Sequence, residues 1–88
     1  MWRTAMAQAG YYNKVGMMDC NRPSNGTGIA VRAWSGSTHV AAIPLNTQCA
    51  QAVSDMLNRG FDIESIETVP DSKQRWRFFT RFIFLKRE

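Results

Sequence analysis

For catalysis or metal binding this 88-residue chain offers one histidine, two cysteines and seven carboxylates. His39 stands among Ser35, Ser37 and Thr38, where an imidazole could act as the general base of a minimal, metal-independent nuclease. Nucleophilic chemistry, however, needs a nucleophile, a base and a group that orients the base, and no second titrating partner accompanies His39. The plainer expectation is a half-exposed strand residue. Zinc requires three or four ligands, usually in close pairs, and Cys20, His39 and Cys49 are too scattered to supply them. Asp62, Glu64 and Glu67 could approach Mg²⁺ from a strand, but such residues are more simply a solvated strand face. Gly26-Thr27-Gly28 has the flexibility of a phosphate loop without the lysine or the following helix that would make it one. No catalytic residue, metal or cofactor is therefore expected, and the chain is read as a non-enzyme.

Binding chemistry is concentrated instead between Lys73 and Arg87. Six of the 11 basic residues (Lys73, Arg75, Arg77, Arg81, Lys86 and Arg87) alternate there with Trp76 and four phenylalanines. Arginines two apart on a strand share a face and can meet successive phosphates, while exposed aromatics stack on bases. The same residue types are favoured at the centres of protein interfaces. Acidic residues crowd the preceding stretch, so in a hairpin Asp62 and Glu64 are expected opposite Arg77 and Arg81, with Glu67 nearby, which would cancel much of the positive patch. Trp34, Tyr11 and Tyr12 are further candidate anchors.

These side chains must be positioned by few elements. Residues 1–20 are ambiguous: Trp2, Ala5, Met6 and Ala9 fit a helical face, whereas Lys14 to Cys20 reads better as a strand. A loop at 21–28 gathers Asn, Pro, Ser and Gly, with strands expected on both sides. Alternation over 29–34, a turn at Ser35-Gly36-Ser37 and an extended run over 38–43 together suggest a β-hairpin. Pro44 ends that run, and Asn46 or Thr47 is expected to cap a helix reaching Arg59, with Cys49, Ala52, Val53, Met56 and Leu57 on its buried stripe. Gly60 stops the helix and Asp55 can pair with Arg59 one turn on. The phase of apolar residues shifts between Ile63 and Ile66, which suggests a strand with a bulge or a fully covered end. After a turn at 70–73 a last strand places Trp76, Phe78, Phe82 and Phe84 on one face, expected to be the core beneath the helix.

The expected fold is one α+β domain over 1–88, an antiparallel sheet of about four strands in the order β-β-α-β-β with one helix on one face. No run of about 18 apolar residues would cross a bilayer, the first ten residues lack a secretory apolar core, and a cytoplasmic location with free, partly buried cysteines is expected. With a net charge of +4 the function expected is that of a small binding protein for a protein or nucleoprotein partner. By analogy it would be an inhibitor or accessory protein of the type carried by phages and mobile elements, acting on a host nucleic-acid-processing or defence complex. Alternatives are a nucleic-acid-binding module using the basic C-terminal strand, and the His39 nuclease. An exposed sheet edge over 79–85 would also allow a homodimer.

Overall fold

The computed structural model describes residues 13–21, 28–73 and 77–87. Tyr11, Tyr12, Arg75, Trp76 and the ambiguous segment before residue 11 lie outside the described residues. The order is β1 (Asn13–Asn21), β2 (Ala30–Gly36), α1 (Cys49–Asn58), β3 (Asp62–Pro70) and β4 (Phe78–Arg87). One antiparallel sheet runs β2-β1-β4-β3, so the expected α+β domain with its β-β-α-β-β order is the observed one.

The identity of the first strand differs from the reading of 29–43 as a hairpin. The partner of β2 is β1, and residues 38–43 belong to no strand. The chain turns after β2, where Ser37 N–H bonds Val15 C=O at 2.9 Å and His39 takes a left-handed φ of 69°. Beside the start of β2 the place a further strand would occupy is already filled. Val31 N–H bonds Thr47 C=O, Asn46 N–H bonds Val31 C=O, and Cys49 N–H bonds Ile29 C=O, which closes the edge at residues 29–31 with the segment leading into the helix. β4 in turn is interior, paired to β1 on one side and β3 on the other, so the edge expected over 79–85 is not an edge. The other edge strand is β3, with no strand on its outer side among the described residues.

Strand alternation decides which face is buried. Gly16, Met18 and Cys20 of β1 point under the helix, with Val31 of β2 and Phe84 of β4. From above, α1 contributes Cys49, Ala52 and Met56. Leu57, expected on this stripe, is 47% exposed because one residue beyond Met56 the helix has turned by about 100°. The aromatic face of β4 is core only at one end: Phe84 is fully buried, Phe82 stacks beside it at 6.1 Å, and Phe78 is 57% exposed beyond the reach of the helix.

Both helix ends are specified by the chain, although not as anticipated at the first. Gln48 occupies the N-cap with no side-chain cap; Thr47 donates its hydroxyl to Pro44 C=O at 2.7 Å, and Asn46 accepts from Arg32 at 2.9 Å. Those bonds hold the edge-closing segment rather than the first helical turn. At the other end Gly60 adopts φ 93°, Gly60 N–H bonds Leu57 C=O and Phe61 N–H bonds Met56 C=O, the paired bonds of a Schellman stop. Asp55 and Arg59 pair at 2.8 Å as expected from their spacing. The cysteines are not free: Cys20 of β1 and Cys49 at the start of α1 form a disulfide, their Cα atoms 6.1 Å apart. Their separation of 29 residues carries no pairing signal, and only the landing of the helix over β1 joins them.

Gly16 is required by space rather than by backbone angle. A Cβ there would stand 2.7 Å from Cη2 of Trp34 and 3.1 Å from Cε of Met56, so the indole lies in the slot that the missing side chain leaves. Gly16→Ala should cost about 1–3 kcal/mol by overpacking, read as a lower urea midpoint with an unchanged slope.

Candidate partner-binding surface

The register that buries Gly16, Met18 and Phe84 sends their neighbours to the opposite face. Val15, Met17 and Asp19 of β1 lie across from Leu85, Ile83 and Arg81 of β4, and β3 adds Glu67 beside Arg81 and Val69 beside Phe79. No helix among the described residues covers this face. At its centre the Arg81 guanidinium grips Asp19 with two bonds, Nε to Oδ1 at 2.8 Å and Nη2 to Oδ2 at 3.1 Å. It also stands 5.6 Å over the Phe79 ring, near the limit at which a cation is attracted to an aromatic face. The hydrogen bond to Asp19 is the main cause that raises the Arg81 pKa above its ordinary value; burial opposes it, and the charges of Asp19 and then Glu67 add to it.

The expected partners of the arginines are thus corrected. The register running back from the turn puts Glu67 opposite Arg81, so Asp62 lies further along, opposite Leu85, and Glu64 falls in the bulge between Ile63 and Ser65. Asp19, the true partner, is 62 residues away in sequence and reaches Arg81 only because β1 and β4 are neighbours. Toward the turn end of this face lies a cleft of about 390 Å³ lined by Asp19, Asn21, Val69, Asp71 and Phe79 among others. The Asn21 Oδ1 is buried there without a hydrogen-bond partner. No group of three or more His, Cys, Asp or Glu able to hold a metal occurs among the described residues.

The other candidate residues are dispersed. Lys73 is exposed, with its backbone N–H held by Asp71 at 2.8 Å in the turn. Arg77 is half-buried at the start of β4 and its C=O accepts from Asp71. Arg87 is exposed at the far end of the strand. Lys86 closes the helix instead of facing outward: its Nζ donates to Arg59 C=O at 2.9 Å and lies 5.8 Å from the Phe61 ring. Trp34 packs against the core over Gly16 and Gly36. His39 sits in a turn and not within a strand. It borders a cleft of about 210 Å³ shared with Lys14, Arg59 and Lys86, so cations rather than an orienting carboxylate surround it. Sequence reasoning missed this basic cluster, because Lys14 and Lys86 become neighbours only through cross-strand pairing.

Comparison of the chain with protein-family models, curated proteins and solved structures returns no match.

Proposed function

We propose that the protein is a non-enzymatic binding module that engages a protein or nucleoprotein partner through the helix-free face centred on Arg81. One observation carries this reading: Arg81 is fixed between Asp19 and Phe79 amid Val69, Met17 and Ile83, an apolar setting with its charge already answered. A preorganised, forked arginine beside an aromatic ring loses little freedom on docking and is what protein interfaces favour at their centres. A phosphate, by contrast, would have to compete with the Asp19 carboxylate. The small size of the chain suits an inhibitor or accessory protein that blocks a site by occupying it, of the kind found in phages and mobile elements. The Cys20–Cys49 disulfide weighs against the cytoplasmic placement and towards an oxidising compartment.

A second reading, a nucleic-acid-binding module, draws on the cluster of Lys14, Arg59 and Lys86 around His39, which could meet phosphates at one end of the sheet. Arg81→Lys separates the two. It keeps the charge and removes the two-pronged geometry, so capture of a protein partner should fall at least tenfold while any nucleic-acid affinity, measured by anisotropy with labelled single strands across a salt series, should scarcely change. Capture unaffected by Arg81→Lys would overturn the first reading.

A further inference from the structure

The two margins of the sheet are unlike. At the start of β2 the backbone of residues 29–31 is closed by the segment 46–49. Along β3, nine residues from Asp62 to Pro70, the outer margin has no strand beside it among the described residues. Such a margin presents a row of backbone donors and acceptors to any extended chain.

β3 carries two further features, one on each face. On the helix side Ile63 and Ile66, opposite Phe84 and Phe82, are 37% and 59% exposed. This is an apolar shelf that the helix does not reach. On the other side Asp62 and Glu67, opposite Leu85 and Arg81, are carboxylates, and Glu64 occupies the bulge. β3 contains no basic residue at all. A second copy pairing along the full length of β3 would therefore bring two sets of three carboxylates together, which like-charge repulsion disfavours.

We propose that β3 is a docking edge for an extended segment of a partner protein that alternates apolar and basic residues, joining the sheet as a fifth strand. Its apolar side chains would cover Ile63 and Ile66, and its lysines or arginines would face Asp62 and Glu67. Main-chain hydrogen bonds supply affinity in this mode and alternate side chains supply selectivity. The chain's overall charge of +4 repels a cationic peptide, so attraction at β3 is local to its carboxylates. The inference rests on the reading of the chain as a protein-binding module and adds the mode and chemistry of the partner.

Two synthetic nine-residue peptides, one alternating lysine with valine and one glutamate with valine, test it against the isotope-labelled protein by NMR and amide exchange. The lysine peptide should slow exchange of β3 amides at least tenfold, and the glutamate peptide should leave them unchanged. Ile66→Ser, at a position exposed enough to leave the fold intact, and Glu64→Lys should each weaken the effect severalfold. Equal action by both peptides, no protection at β3, or protection arising without peptide from self-association would overturn the proposal. Contact confined to the Arg81 face would overturn it while leaving the proposed function standing, whereas loss of all protein binding would remove both.

Discussion

Phe84→Ala should lower the unfolding free energy by about 3–5 kcal/mol, the range for emptying an aromatic site in a core. The ring is fully buried on a strand that pairs on both sides, beneath the helix residues Ala52 and Met56, and little around it can collapse to fill the space. Domains of this size have about 5–15 kcal/mol in total, so the variant would lose a large share of its stability. Its thermal midpoint should fall by about 12 °C or more. Phe78→Ala supplies the control, since that ring lies on the same face of the same strand and is 57% exposed. A midpoint for Phe84→Ala within 5 °C of wild type, or equal losses for the two variants, would show that the centre of the core lies elsewhere.

Reduction of the Cys20–Cys49 disulfide is expected to remove about 3.6 kcal/mol, from the loop-closure entropy of a cross-link spanning 29 residues. Both sulfurs belong to the buried core, so double replacement by alanine should lose this amount together with a smaller packing contribution. Denaturant unfolding with and without a thiol reductant measures the difference directly. The slope should also rise on reduction, because the unfolded chain, no longer tethered, exposes more surface. An unchanged midpoint would mean that the cross-link does not constrain the unfolded ensemble.

How much of this was legible depended on whether the signal was local. The helix over 49–58 announced itself by its stripe and its glycine stop, and the β3–β4 hairpin by alternation and by a phase shift that marks the bulge between Ile63 and Ser65. The run 38–43 looked extended, but whether an extended run becomes a strand depends on a vacant sheet edge, and the segment 46–49 had taken the one beside β2. Arg81 was recognisable as a candidate from its aromatic surroundings. Its partner was not, because Asp19 and Arg81 are joined by the pairing of the first and last described strands. The disulfide escaped for the same reason, as did the cluster of Lys14, Arg59 and Lys86, in which each member is an ordinary surface cation until the sheet closes. Phe78 and Leu57 had the right spacing for the core and lie outside it, since periodicity says which face a residue occupies and not how far the covering helix extends.

The pairing of residues 46–49 with the start of β2 also bears on the stoichiometry expected of an assembly built on this sheet. A sheet open at both margins can propagate, each added strand offering a new template for the next domain in line. Among the described residues β3 is the margin with no segment beside it, whereas the start of β2 is taken by residues 46–49, so a domain that has accepted a strand at β3 offers no equivalent nine-residue site to the next. The same asymmetry disfavours fibril growth through successive domains, and the Cys20–Cys49 cross-link ties the end of the pairing segment to β1.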